Sequence, residues 1–298
     1  MRQLYGLLTL VLIPVFWVGL LCLSLKQPGF RKNISRRLGR NLPSPEPSNK
    51  QCLWIHAVSV GETLAIAPLV ERLLNKRPDL DVLITSTTPT GAEQVQRLFG
   101  DRVRNTWFPF DSGTAITRSL DHWQPCALIL VETELWPELI HQCSSRGIKT
   151  LLLNARLSER SCRRYGRLGP LVSDAVKSLD HIACQHDSDA QHFQALGASA
   201  DQLTVVGSLK FDMPKLGLEQ QRDELALGLG TRGSGRPILL AASTHSGEDL
   251  LVLNAFLKVR EEYPNALLWL APRHPKRSDA ILTLIAAAKL TAITRSSG

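Results

Sequence analysis

Several acidic and basic side chains sit where one kind of sequence pattern gives way to another. Glu62 closes the run Ser59-Val60-Gly61-Glu62, between an apolar strand-like stretch and a helix-like one. In open α/β sheets ligands bind off the carboxyl ends of strands, so an acid there is placed to act as a general base. The alternative is a first-turn carboxylate answering the helix dipole. That dipole is expected to lower the pKa of Glu62 and weaken it as a base, with desolvation by a substrate working the other way. Gly61 allows tight backbone at the same turn. Glu132 and Glu134, in Glu132-Thr133-Glu134-Leu135-Trp136-Pro137, follow another apolar run. Period-two alternation would point both the same way, for catalysis or for a structural salt bridge.

Lys210, in Gly207-Ser208-Leu209-Lys210-Phe211-Asp212, reads either as a partner for a phosphate or carboxylate or as a solvated linker lysine. Pro272 and Arg273 open the basic run Pro272-Arg273-His274-Pro275-Lys276-Arg277 after a further apolar stretch. Arginine there suits capture of a nucleotide phosphate, since a guanidinium engages phosphate through two bonds. The alternative is an ordinary basic turn. Ser243-Thr244-His245-Ser246-Gly247-Glu248 sets hydroxyls at a helix start, for anion binding or for simple N-capping by Ser246. Gly228-Leu229-Gly230-Thr231-Arg232-Gly233 follows a helical pattern and precedes a strand, the reverse of a dinucleotide fingerprint. The eight histidines show no metal spacing, and neither a P-loop nor Gly-x-Ser-x-Gly occurs, so no metal or cofactor is expected. The six cysteines form no Cys-x-x-Cys pair and read as buried free thiols of a reducing compartment.

The elements that must position these groups alternate regularly. Apolar runs at Cys52–Val58, Val82–Ser86, Ala127–Val131, Thr150–Asn154, His181–Cys184 and Leu203–Val206 read as buried parallel strands. Helical patterns fall between them at Glu62–Lys76, Gly91–Phe99, Ile116–Trp123, Pro137–Ser145, Arg163–Leu179 and Asp187–Leu196. This is an α/β chain with an open parallel sheet and helices on both faces. The expected organisation is an anchor over 1–26, a basic segment and Pro/Ser linker over 27–51, and a Rossmann-like domain over 52–206. A linker over 207–235 leads into a second α/β unit over 236–298, with strands at Pro237–Ala242 and Ala266–Leu270 and helices at Glu248–Glu262 and Ser278–Leu290. Two or three strands cannot make a stable Rossmann half, so the second domain is expected to be incomplete or truncated.

Leu4 to Leu25 is a run of 22 residues without a charge. As a helix it would be roughly 33 Å long, enough to cross a bilayer core. Lys26, Arg31, Lys32, Arg36, Arg37 and Arg40 follow it, with no acid before Glu46. Positive charge collects on the cytoplasmic side, so the body is expected there, on a retained single-pass anchor. The same asymmetry argues against an exported solute-binding protein. The chain's net charge of +8 resides almost wholly in this segment, which argues against a nucleic-acid surface. A cytosolic α/β body held at a membrane favours an enzyme that joins a soluble donor to a lipid acceptor.

Five motifs stand in order along the chain: Trp54-Ile55-His56-Ala57-Val58-Ser59-Val60-Gly61-Glu62, Thr85-Ser86-Thr87-Thr88-Pro89-Thr90-Gly91, Glu132-Thr133-Glu134-Leu135-Trp136-Pro137, Asn154-Ala155-Arg156-Leu157-Ser158 and Pro272-Arg273-His274-Pro275. Together they resemble the bacterial Kdo transferases (3-deoxy-D-manno-octulosonic acid transferases of lipopolysaccharide synthesis). The resemblance implies a GT-B glycosyltransferase with two Rossmann-like domains at the inner membrane. It implies transfer of Kdo from CMP-Kdo to the lipid A precursor (lipid IVA), with inversion and without a metal. By that match Glu62 is the catalytic base, Glu132 and Lys210 support the transition state, and Pro272 and Arg273 belong to the CMP site. The family's second domain continues with a Gly-rich stretch and an Asn-Leu-Glu-Pro motif that are not found here. The 298-residue chain is therefore expected to bind CMP-Kdo weakly, the alternative being an inactive remnant that docks the acceptor.

Overall fold

A computed structural model describes residues 2–26, 28–31, 34–44, 50–212 and 235–294. Contacts group the chain into two compact units, Met1–Pro214 and Lys215–Gly298. Most of the expected 207–235 linker, with its Gly228–Gly233 run, lies outside the described residues, as does 45–49 of the Pro/Ser stretch.

The first unit is built on seven parallel strands: β1 (Gln51–His56), β2 (Leu80–Ser86), β3 (Arg104–Trp107), β4 (Ala127–Val131), β5 (Lys149–Ala155), β6 (His181–Cys184) and β7 (Leu203–Val205). Their order is β3-β2-β1-β4-β5-β6-β7. The chain winds outward from β1 in one direction, then returns to β4 and winds the other way. The crevice at the β1/β4 boundary is the switch point where such sheets bind ligands.

Connecting helices are α2 (Val60–Lys76), α3 (Pro89–Phe99), α4 (Gly113–Trp123), α5 (Pro137–Ser145), α6 (Glu159–Gly166), α7 (Pro170–Lys177) and α8 (Asp187–Ala195). Strand alternation sorts the core into two layers. Trp54, Leu128 and Leu130 pack with Ile116 and Leu120 of α4, Leu139 of α5 and Val176 of α7. Leu53, Ile55, Ile129 and Val131 pack with Ile66 and Val70 of α2 and Val95 and Phe99 of α3. Both faces of β1 and β4 are thus covered, which is why these strands read as unbroken apolar runs.

Two elements differ from the sequence reading. β3, Arg-Asn-Thr-Trp, was not expected: as an edge strand it needs no apolar run, and Arg104 pairs with Asp81 of β2 at 2.6 Å. The single helix expected over Arg163–Leu179 is two, because Gly169 at φ 53° turns the chain and Pro170 starts α7.

The N-terminal segment is a helix, α1 (Arg2–Lys26). Among the described residues, however, no helix is long and apolar enough to cross a membrane, and several α1 side chains lie outside them. The transmembrane span expected over Leu4–Leu25 is therefore not found. Contacts tie α1 to the first unit. Tyr5 donates a hydrogen bond to Asp111 at 2.7 Å, and Phe16 stacks on Phe110 with ring centres 6.1 Å apart.

The basic segment is also not simply a solvated surface. Arg37 is 6% exposed, lies over the Trp107 ring at 4.4 Å and donates to the Thr87 carbonyl at 2.7 Å. Burial lowers its pKa to about 10. Of the cysteines, Cys52, Cys143 and Cys184 are buried and Cys162 partly so, but Cys22 and Cys126 are exposed, contrary to expectation.

The second unit, by itself, pairs β8 (Ile238–Thr244) with β9 (Leu267–Pro272) in parallel, beside helices α9 (Glu248–Glu262) and α10 (Ser278–Ala287).

Candidate active site

The carboxylates meet at the β1/β4 switch point. β1 ends at His56, and Ser59 caps α2, its hydroxyl accepting from the Glu62 N–H at 3.4 Å. The Glu62 carboxylate folds back over this turn. One oxygen accepts from the Val58 N–H at 2.7 Å and the other from the Ser59 hydroxyl at 3.0 Å. Ser59 and Glu62 thus form a reciprocal cap at the start of α2, which fixes the carboxylate without using all its lone pairs.

The pKa of Glu62 moves opposite to the helix-dipole expectation. It is raised, chiefly by burial and further by the charge of Glu132, while the Val58 and Ser59 hydrogen bonds and Lys210 pull it down. Desolvation is thus already present in the free protein, as a base working near neutral pH requires. Gly61 contributes less than expected, since a Cβ there would meet only Ser59 Oγ at 3.8 Å. The glycine that matters is Gly91 at the start of α3, where a Cβ would stand 2.9 Å from Thr88 Oγ1 and 3.0 Å from the Val58 carbonyl. That close approach binds the α3 start to the end of β1, with Thr88 donating to the Val58 carbonyl at 3.1 Å.

Glu132 follows β4 immediately and adopts φ 63°, in the left-handed region. Such a backbone costs a branched-chain-free residue about 1 kcal/mol or more and recurs at functional sites. It is held by its N–H donating to Leu153 at 2.9 Å and by an ion pair from Lys210 Nζ at 3.1 Å. β4 has ended by this point, so period-two alternation is not what brings Glu132 and Glu134 together; the left-handed turn is. Lys210 rides on a 3-10 turn, Leu209–Asp212, with its side chain half exposed and its ammonium paired to Glu132.

Three further residues belong to this cluster. Asn154, at φ 56° near the end of β5, accepts from the Leu209 N–H at 3.1 Å and so fixes the turn carrying Lys210. Glu134 has its pKa raised to about 7, first by burial, then by Glu62 and Glu132, with the Trp136 indole opposing. His56 is fully buried, and its Nε2 lies 3.9 Å from Glu134 Oε2. The signal for His56 and Asn154 was available in part: a polar residue at the inner end of an apolar strand needs a reason to be there.

Pro272 and Arg273 stand in the second unit, at the end of β9. The Arg273 N–H donates to the Thr244 carbonyl at 3.0 Å and its side chain is exposed. The same carbonyl accepts from Arg277 at 2.8 Å, and Arg277 also pairs with buried Asp249. Arg277 is thus committed within the unit, which leaves Arg273 free for an anion. Among the described residues no group of three or more histidine, cysteine or acidic side chains is placed to hold a metal ion.

A sequence model of the family described as 3-deoxy-D-manno-octulosonic-acid transferase (Kdo transferase) matches residues 32–213. The chain belongs to the Kdo transferase family. The match spans β1 to β7 and the turn that follows, and with them every member of the carboxylate cluster. The chain is 36% identical to the 3-deoxy-D-manno-octulosonic acid transferase of Haemophilus influenzae, over 99% of its own length and 68% of that protein's. To the enzyme of the same name from Bordetella pertussis it is 34% identical, over 100% of itself and 70% of the relative. Among solved structures it resembles the UDP-GlcNAc 2-epimerase of Neisseria meningitidis, with TM-score 0.57, 14% identity, and 80% and 69% of the two chains covered. That likeness is one of fold, the Rossmann-like parallel sheet of GT-B-type proteins. Kdo transferases are glycosyltransferases, so Glu62, Glu132 and Lys210 lie in the segment that defines an enzyme family.

Proposed function

We propose that this chain transfers Kdo from CMP-Kdo to the hydroxyl of a lipid A precursor, with inversion and without a metal. Glu62 is the base in this reading. It takes the proton of the acceptor hydroxyl as that oxygen attacks the anomeric carbon and the bond to the CMP phosphate breaks. The observation that carries the reading is a buried carboxylate of raised pKa, fixed by Val58 and Ser59 at the sheet's switch point. The Lys210–Glu132 pair supplies a fixed cation and anion beside it. Electrostatic groups held in advance stabilise charge that develops in a transition state. Arg273, exposed at the end of β9, is the residue assigned to the phosphate of CMP.

The body is proposed to work at the cytoplasmic face of the inner membrane. α1 supports this, with Val11, Val15, Val18, Leu23 and Leu25 each more than half exposed. Apolar surface of that kind is covered by partners or lipid. A transfer assay with CMP-Kdo and lipid IVA, run on the wild type and Glu62→Gln, tests the reaction. Transfer by the wild type that Glu62→Gln loses supports the reading; equal rates overturn the base assignment. Co-flotation with anionic vesicles, absent in a chain lacking 2–26, tests the membrane placement.

A further inference from the structure

His56 poses a problem that the transfer reaction does not answer. Its ring is fixed on three sides. It stacks on Phe108 with centres 3.7 Å apart, meets Trp136 edge-on at 6.1 Å, and places Nδ1 3.0 Å from the Thr85 carbonyl. A carbonyl only accepts, so Nδ1 carries the ring proton. Thr85 Oγ1, 3.1 Å from the same nitrogen, already accepts from the Trp54 indole at 2.9 Å. Burial, with the Arg37 charge adding to it, holds the ring neutral, its pKa near 3 despite the Thr85 hydrogen bond. Nε2 is therefore a bare lone pair. It is buried without a hydrogen-bond partner, and the polar group facing it is Glu134 Oε2 at 3.9 Å.

An ionised carboxylate would set negative charge against that lone pair. A protonated one is a donor, and a movement of about 1 Å by Glu134, which is 23% exposed, makes an ordinary hydrogen bond. We propose that Glu134 is held as a neutral carboxylic acid that donates a hydrogen bond to Nε2 of His56, and that this positioning residue sets the charge of the cluster around Glu62.

The groups facing Glu134 favour that state. Glu62 on α2 and Glu132 after β4 both raise its pKa, behind burial as the main cause. Tyr165 on α6 has its pKa raised, by burial first and then by Glu134, so it stays neutral. Lys210 is engaged by Glu132, and the Trp136 indole favours the ionised form without outweighing the rest. With Glu134 neutral the cluster of three acids and Lys210 carries one net negative charge instead of two.

The consequence rests on the transfer reading above. The sugar named by the family is itself an acid, so a second negative charge in the cluster repels the donor. As pH rises through about 7 Glu134 loses its proton, and KM for the donor rises while kcat holds. Glu134→Gln, which keeps a neutral donor opposite His56, abolishes this alkaline limb, so that its KM for the donor no longer changes between pH 6 and 8. A purely structural role would lower both parameters at every pH.

The proton itself is read without substrate, by NMR of the full chain. The 15N resonances of labelled histidine report whether His56 is neutral with its proton on Nδ1 from pH 5 to 9. The 13C carboxyl signal that Glu134→Gln removes reports its midpoint, expected near 7. A proton on Nε2 of His56, or a Glu134 midpoint at 4–5, overturns the proposal. An inactive chain that still shows both signatures would leave the Glu134 proton in place and remove only the transferase reading.

Discussion

The side-chain oxygen of Asn154 accepts from the backbone N–H of Leu209 at 3.1 Å, tying the end of β5 to the turn that carries Lys210. Asn154 stands at φ 56°, so glycine fits its backbone better than any residue with a Cβ. Asn154→Gly therefore isolates the side chain. It is expected to lower kcat about tenfold or more, through a misplaced Lys210, with a stability change within about 1 kcal/mol. Steady-state kinetics and urea unfolding on one preparation check both parts. Asn154→Ala, strained as well as unbonded, should lose more stability than Asn154→Gly.

Glu62→Gln removes the proposed base but leaves an amide oxygen to accept from Val58. Transfer should fall about 10²–10⁴-fold with little change in folding. Circular dichroism and the transfer rate, measured together, separate loss of chemistry from loss of structure.

Lys210 lowers the pKa of Glu62, so its removal raises that pKa further. The active base is the ionised form, and the acid limb of kcat/KM in Lys210→Met should move to higher pH. The Lys210 side chain is 51% exposed, so the ion pair with Glu132 should be worth no more than about 1 kcal/mol of stability. A large activity loss without a matching fall in Tm is the expected pattern.

Asp111 accepts from the Glu138 and Leu139 N–H groups at 3.1 and 2.9 Å, at the start of α5, and from Tyr5. Burial raises its pKa from 3.8 to about 6, against the pull of those three donors. A raised carboxyl pKa contributes stability that is fully present below the unfolded value and lost as pH rises through the folded one. Unfolding free energy should therefore fall between about pH 4 and 6, by on the order of 2–3 kcal/mol. Asp111→Asn resembles the protonated acid and should flatten that slope, as followed by tryptophan fluorescence in urea.

What the sequence disclosed and what it hid divide along physical lines. β1, β4 and β5 are covered on both faces, so their apolar runs announced them, and the turn after β1 marked Glu62. β3 has only one neighbour and no such run. Pro170 did signal the break between α6 and α7, but the periodicity on either side outweighed it. Glu132 and Lys210 were legible as residues and not as a pair. Their meeting depends on a left-handed backbone at Glu132 and on the Asn154–Leu209 bond, neither of which leaves a periodic trace. His56 was hidden for the opposite reason: inside an apolar run its imidazole looked like one more core side chain.

Two points of attachment along α1, Tyr5 on Asp111 and Phe16 on Phe110, lie roughly 16 Å apart on the helix axis. A rod pinned twice cannot swivel as one pinned once can. Whatever α1 rests on, the carboxylates keep a set standoff and heading from it, as a keel fixes the trim of a hull. Freeing either pin would slacken α1 against the first unit without touching the carboxylates themselves.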